Sequence, residues 1–127
     1  MIEGAVLPTL EPMVQVHVYD SSGEEIPLNL LVDTGFTGSF SLPNTVANRL
    51  GLEKIGSDSV QFGDGTIYSA DLYEIEIEWD GIWRTVYADA FGADLVIGTE
   101  LLRDYELLIQ FVNGGPVRVT KLQFKST

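Results

Sequence analysis

The stretch NLLVDTGFTGSFSLP, residues 29–43, decides the fold of this chain. The segment 26–32 alternates and then runs apolar, as a half-buried strand entering a core does. Asp33 ends that segment, and we expect its carboxylate to be buried there, which is costly unless it is paired or protonated. Gly35 and Gly38 allow a tight turn and close backbone approach directly afterwards. An Asx turn at a strand end is the simpler interpretation, and the residues alone leave both open.

The length and composition predict one globular domain. The chain has 127 residues, of which 45% are hydrophobic and 20% are charged. A typical domain takes roughly 100–200 residues, so residues 1–127 fit a single domain with its own core. The composition carries no signature of disorder.

The charge balance disfavours two classes of partner. Nineteen acidic residues against seven basic ones give a net charge of −12. Such a surface repels phosphate backbones and anionic lipids, so we expect no nucleic-acid and no membrane partner.

No apolar run approaches the roughly 20 residues that span a bilayer, and the first residues lack a basic segment. Because the chain also has no cysteine, we expect no disulfide and a cytoplasmic location.

Short strands separated by turn residues dominate the predicted secondary structure. We expect strands at 13–19, 26–32, 39–43, 58–62, 66–79, 82–91, 94–97, 106–112 and 117–124. Two short helices are predicted at 44–52 and 99–105, the first with Asn44 as its N-cap and Gly51 as its stop. Asp80-Gly81 is a strong hairpin signal, and the last two strands form a closing hairpin. The pattern therefore predicts a mostly-β chain.

The segment YEIEIEW, residues 73–79, places its apolar residues on one face of a strand and three glutamates on the other. The glutamates are Glu74, Glu76 and Glu78. Same-face neighbours on a strand lie roughly 6.6 Å apart, a poor cage for one ion, so a solvated face is expected. His17, the only histidine, is expected to be a sheet residue rather than a ligand or base.

Elimination leaves carboxylate chemistry as the candidate. With no cysteine and one histidine, neither a Cys–His nucleophile nor an ordinary histidine-rich metal site is available. The motifs Gly-x-Ser-x-Gly and Gly-x-x-x-x-Gly-Lys are absent, which argues against a serine hydrolase and a phosphate-binding loop. Two carboxylates held about 3 Å apart share one proton and can activate a water. The chain has one Asp-Thr-Gly, so a symmetric homodimer would supply the second carboxylate.

Two motifs in order resemble the retropepsin-like aspartic proteases. LLVDTGFTGSFSLP is similar to the active-site loop of that family, and DLVIGTELL, residues 94–102, is similar to its second signature. GDGT, residues 63–66, falls between them, where the family places its flap. Segments at both ends of the chain also resemble the bacterial clan AA members, so the resemblance covers nearly the whole chain. It implies an all-β, single-domain acid-protease barrel with one or two short helices, closed by a C-terminal hairpin.

The resemblance also implies roles for individual residues. Asp33 would be the catalytic carboxylate, Thr34 would hydrogen-bond across a dimer axis, and Gly35 would let two loops approach each other. Gly98 would end the strand beside the active-site loop. The flap residues that would cover a polypeptide substrate are Gly63, Asp64, Gly65 and Thr66. No cofactor and no metal are implied.

The sequence departs from retroviral members at several positions. Phe36 and Thr37 stand where those members have a small and then an acidic residue, and Thr99 stands where they often have arginine. The ion pairs that brace the retroviral site are therefore expected to be absent, and the longer ending after Phe111 predicts a different terminal sheet.

We expect an aspartic endopeptidase active as a homodimer. The alternative is a silent retropepsin-like module for dimerisation or peptide binding, and nothing positive supports a structural subunit.

Overall fold

The computed structural model describes residues 1–61 and 63–124. Ten strands and one helix lie within these ranges, and the strands form one sheet. The elements in chain order are β1 (Ile2–Val6), β2 (Pro12–Tyr19), β3 (Glu25–Val32), β4 (Phe40–Leu42), α1 (Asn44–Leu50), β5 (Lys54–Gln61), β6 (Ile67–Trp79), β7 (Ile82–Ala90), β8 (Val96–Ile97), β9 (Tyr105–Ile109) and β10 (Pro116–Lys121).

The sheet curls onto itself around the core. Its strand order is β5-β6-β7-β4-β8-β3-β2-β1-β10-β9, and an extra pairing between β6 and β2 brings distant strands together. The pairs β3–β8 and β4–β7 are parallel, whereas the remaining pairs are antiparallel. The predicted closing hairpin is confirmed as β9 and β10.

The alternating segment at the end of β6 supplies part of the core. Tyr73, Ile75, Ile77 and Trp79 are buried, as predicted, and the glutamates between them are exposed or half-buried. The largest fully buried side chains come from several strands and from the turn after β8: they include Trp79, Phe40, Leu30, Leu42 and Leu101. Burial of each such aliphatic or aromatic side chain stabilises the fold by about 1.5–3 kcal/mol.

Two details of the predicted helices are wrong. The helix α1 begins at Asn44, but the cap position is Pro43 and no side chain caps the helix. The Asn44 side-chain oxygen instead accepts a hydrogen bond from the Tyr73 hydroxyl at 3.1 Å. Gly51 does end the helix, with φ of 69°. Residues 99–104 form successive turns rather than a helix, and Tyr105 already begins β9. The N–H groups of Thr99 and Glu100 donate to carbonyls of the loop after β3, which ties the start of this segment to that loop.

The other strand predictions hold within a few residues. The predicted strand at 94–97 shortens to β8, and the strand at 58–62 starts earlier and reaches Gln61, while Phe62 lies outside the described residues. The strand β1 was not predicted from the sequence. In the described part of the chain no helix is long and apolar enough to cross a membrane.

Candidate active site

Asp33 lies on a turn directly after β3. Its backbone N–H donates to the Ile97 carbonyl at 3.0 Å, which ties the turn to β8. Its Oδ1 accepts a hydrogen bond from the Gly35 N–H at 2.8 Å, and its own carbonyl accepts from the Phe36 N–H at 3.2 Å. The Asx turn that the sequence allowed is therefore present. Local geometry holds the carboxylate in place.

The expectation that Asp33 is buried is wrong for the single chain, in which the side chain is exposed. The strand β3 ends at Val32, which is buried, and the next three residues are all exposed as the chain turns. Thr34 lies in this exposed turn beside Asp33. Burial of the carboxylate therefore needs a group from outside this chain.

Gly98 braces the turn from below. β8 pairs with β3 on one side and with β4 on the other, so it threads through the loop that joins them. The Gly98 N–H donates to the Ser39 carbonyl at 3.1 Å. A Cβ atom at Gly98 would overlap the carbonyl oxygens of Gly38 and Phe36, which explains why glycine stands there.

Backbone hydrogen bonds hold the loop between β3 and β4 against the residues that follow Gly98. The Thr99 N–H donates to the Phe36 carbonyl at 2.8 Å, and the Glu100 N–H donates to the Gly38 carbonyl at 3.2 Å. The Thr99 hydroxyl makes a longer contact of 3.4 Å with the same Phe36 oxygen. In the part of the chain that the structure describes, no ion pair involves residues 33–39. Main-chain contacts therefore tie Thr99 and Glu100 to this loop.

The predicted flap lies at the tip of the β5–β6 hairpin. The residues Gly63, Asp64, Gly65 and Thr66 are all exposed. Asp64 Oδ1 accepts a hydrogen bond from the Thr66 N–H at 2.9 Å, and this bond, with one from the Thr66 hydroxyl, lowers the pKa of Asp64. Gly65 has φ of 85°, so its conformation favours glycine, and a Cβ there would meet open space.

A cavity of about 510 Å³ joins the Asp33 turn to this hairpin. One wall is the turn itself, with Asp33, Gly35 and Phe36 among its residues. The opposite wall comes from β5 and β7, whose contributors include Asp58, Gln61 and Asp89. A smaller cavity of about 180 Å³ also reaches Asp33 and lies against residues 91–94. Both volumes suit side chains of a bound peptide rather than a whole folded partner.

The pair Asp58 and Asp89 was not singled out by the sequence. The strand register sets Asp58 opposite Ala70 and Asp89 opposite Leu72, so both strands flank the same stretch of β6. Oδ1 of Asp89 is buried, and as a carboxylate oxygen it has no donor among the described residues. When the Asp89 carboxyl group is protonated, it can donate a hydrogen bond to the Asp58 carboxylate. Burial, that hydrogen bond and the Asp58 charge together raise the pKa of Asp89 to about 6.

A further group of possible ligands lies away from these cavities. His17 is a sheet residue of β2, as expected, and its Nδ1 lies 2.5 Å from a Glu25 carboxylate oxygen. Glu78 joins them, with the ligating atoms of all three within 4.8 Å of one another. The three side chains come from three strands, β2, β3 and β6, rather than from successive glutamates of one strand. These side chains are exposed or half-buried, and such groups are common without an ion.

Comparison with solved structures identifies the fold. The chain resembles the EIAV protease in complex with the inhibitor HBY-793, at 23% identity and a TM-score of 0.55, over 74% of this chain and 86% of that one. The chain has a retropepsin-like fold. It also resembles a retropepsin-like aspartic protease from Rickettsia conorii, at 11% identity and a TM-score of 0.56, over 94% of this chain and 90% of that one.

Sequence comparisons add no closer relation to this retropepsin-like chain. No family model matches it, and no curated protein matches it significantly. The predicted fold class, an all-β retropepsin-like barrel with one or two short helices, is confirmed with one helix among the described residues. The structure brings Asp33, Thr34, Gly35 and Gly98 together, and it places the flap residues on the hairpin whose β5 arm reaches the Asp33 cavity.

Proposed function

We propose that the protein is an aspartic endopeptidase that hydrolyses polypeptides as a homodimer, with Asp33 of each protomer in one shared site and no cofactor. The observation that carries this proposal is the position of Asp33. It stands on a braced turn at the edge of a cavity of about 510 Å³, and the wall opposite is the arm of a hairpin. The retropepsin-like fold supports the same activity.

The proposed reaction uses the two carboxylates as one acid and one base. The ionised Asp33 takes a proton from a water, whose oxygen forms a bond to the scissile carbonyl carbon, while the protonated Asp33 of the partner donates its proton to the carbonyl oxygen. When the tetrahedral intermediate collapses, the carbon–nitrogen bond breaks and the leaving nitrogen gains a proton. The products are a carboxylic acid and an amine, and the pair again holds one proton.

The surface around Asp33 suits a partner copy. The register places residues 7–11, between β1 and β2, at the sheet end where β3 runs into Asp33, because Val6 pairs with Pro12 and Met13 with Leu31. The turn between β9 and β10 lies at the same end, since the Gly114 N–H donates to the Val6 carbonyl at 2.9 Å. These turns expose an apolar patch made of Leu7, Leu10, Phe111 and Val112. A dimer that joins two Asp33 turns would cover it.

Cleavage of a peptide library by the purified protein tests the activity. We expect Asp33→Asn to lower kcat/KM at least about 1,000-fold, because an amide keeps the shape of the group but cannot act as the base. Glu76→Gln, an exposed acid on β6 outside the cavities that reach Asp33, should retain wild-type activity. Binding of peptides without cleavage would instead support the silent peptide-binding module.

Subunit mixing tests whether the site is shared. After equal amounts of wild type and Asp33→Asn exchange subunits, about a quarter of the dimers are fully wild type, against about half without exchange. Activity should then fall to about half that of the same wild-type protein alone, with exchange verified by mass-tagged subunits. Unchanged activity after proven exchange would show that one chain forms the whole site.

A further inference from the structure

The wall opposite Asp33 is acidic and carries no described basic residue. Asp58 and Asp89 both face the cavity of about 510 Å³, and Ser59 and Gln61 continue that wall along β5. Of the described residues that line the cavity, none is lysine or arginine. A group that enters this space therefore meets three carboxylates, counting Asp33, with no cation from this chain to balance them.

The geometry of the pair leaves one carboxylate oxygen without a donor. Asp58 and Asp89 lie on β5 and β7, with β6 between them, and the small side chain of Ala70 stands beside Asp58. Oδ1 of Asp89 is buried without a hydrogen-bond donor in the described part of the chain. A buried acceptor that lacks a donor costs about 1–3 kcal/mol, and more when it is charged. A cation that enters the cavity would offset the charge of the pair through the parts of Asp58 and Asp89 that line the cavity.

The rest of the cavity favours a long side chain as the carrier of that cation. Phe36 and Phe91, both half-buried, line the same space. Aromatic rings cover the alkyl stem of lysine or arginine, while the charged head reaches a carboxylate. A guanidinium in particular offers several N–H donors in a planar fork that matches carboxylate geometry.

We infer that Asp58 and Asp89 form a subsite of the substrate cleft that selects a basic side chain, arginine or lysine, near the scissile bond. This inference rests on the proposed peptidase function, because it assigns a preference to the same cleft. It goes beyond that function by naming the substrate class: polypeptides with a basic residue a short distance from the bond that is cut.

The experiment uses pairs of peptides that differ only by charge. Each pair carries arginine or citrulline, its neutral near-isostere, at one position, and the position is scanned from three residues before the scissile bond to three after it. Wild type should cleave the arginine member with about tenfold higher kcat/KM at one position. Asp58→Asn and Asp89→Asn should each bring that ratio close to one, while Glu76→Gln should leave it unchanged.

A binding measurement separates this inference from the proposed function. The Asp33→Asn dimer, which should not cut, is titrated with the same labelled peptides, and the arginine member should bind about tenfold more tightly. The added change Asp89→Asn should remove the difference. If wild type cuts both members equally and Asp33→Asn binds them equally, the subsite is refuted while the peptidase stands. If no peptide is cut but the binding preference holds, the subsite stands and the peptidase fails.

Two further outcomes would also overturn the inference. One is the absence of measurable binding of either peptide by the Asp33→Asn dimer. The other is an arginine preference that persists in both Asp58→Asn and Asp89→Asn, which would place its origin elsewhere in the cleft. Circular dichroism of each variant shows whether it is folded.

Discussion

The Asp33 turn and the Asp58–Asp89 pair line the same cavity but are built in opposite ways. Asp33 is exposed, and its turn hydrogen bonds come from the N–H groups of Gly35 and Phe36, which lie within three positions of it. Asp58 and Asp89 are 31 positions apart in the chain (89 − 58) and meet only because β5 and β7 flank β6. In the proposed dimer a partner supplies the second carboxylate beside Asp33, whereas burial and the neighbouring Asp58 already raise the pKa of Asp89 within one chain. The comparison therefore separates a site that the proposed dimer would complete from a pair that the fold of one chain brings together.

Breaking the proposed dimer is the strongest test of this comparison. Phe111→Asp places a charge in the apolar patch, so we expect a monomer and at least a tenfold loss of peptide cleavage at low protein concentration. Ile82→Asp is the matched control, since Ile82 is equally exposed beside the Asp80 turn, which contacts Met1 at the far end of β1. Analytical ultracentrifugation reports the oligomeric state. A Phe111→Asp protein that stays dimeric, or a monomer that keeps full activity, would contradict the shared site.

The next prediction tests whether Gly98, directly after β8, holds the Asp33 turn in place. Gly98→Ala forces a methyl group against the carbonyls of Gly38 and Phe36, so we expect a loss of about 1–3 kcal/mol in the free energy of unfolding. Gly56→Ala is the control, because a Cβ there meets open space within β5. Urea unfolding of both variants measures the difference. Equal stabilities would mean that the turn tolerates displacement and is not braced as described.

The pair itself predicts a pH dependence of stability. The pKa of Asp89 is raised from 3.8 to about 6 in the folded chain, so the folded state binds more protons between these values and loses stability as the pH rises through them. Asp89→Asn removes that loss and can donate toward Asp58. Because the side chain is only half-buried, solvent screens the effect, and we expect a gain of about 1 kcal/mol at pH 7.5.

Thermal unfolding of wild type and Asp89→Asn at two pH values checks this sign. The gain at pH 7.5 should shrink toward zero near pH 4, where wild-type Asp89 is protonated. The facing charged groups in the cavity are Asp58 and Asp33, so Asp33→Asn serves as the background control. A difference that is the same at both pH values would show that the pKa of Asp89 is not raised in the folded chain.

The smallest effect concerns the hairpin that carries Asp58. Gly65 has φ of 85°, so Gly65→Ala strains the tip by about 1–2 kcal/mol, and we expect kcat/KM to fall about two- to fivefold. Gly63→Ala, where φ lies outside the left-handed region and a Cβ meets open space, should change kcat/KM less. A lower melting temperature with unchanged activity would mean that the turn is structural and does not act as a flap.

Local sequence determined the Asp33 turn and most of the strands. The Asp-Thr-Gly triplet after an apolar run sets an Asx turn through contacts between near neighbours, and alternation over residues 73–79 sets the buried face of β6. Such features depend on short-range geometry, so their signal survives in one sequence. Tertiary contacts override propensity elsewhere. The Asn44 side-chain oxygen accepts a hydrogen bond from Tyr73 instead of capping its helix, and the N–H groups of Thr99 and Glu100 donate to the Asp33 loop at the start of a segment of turns.

The tertiary structure alone decided the exposure of Asp33 and the pairing of Asp58 with Asp89. Burial of a side chain depends on everything packed around it, and a strand ending in an apolar run does not reveal whether its last residue lies inside or at the mouth of a cavity. The pairing depends on the register of β5 and β7 against β6, which long-range contacts set during folding. The sequence by itself therefore determined which carboxylate stands on the turn, and only the fold decided which other carboxylates share its cavity.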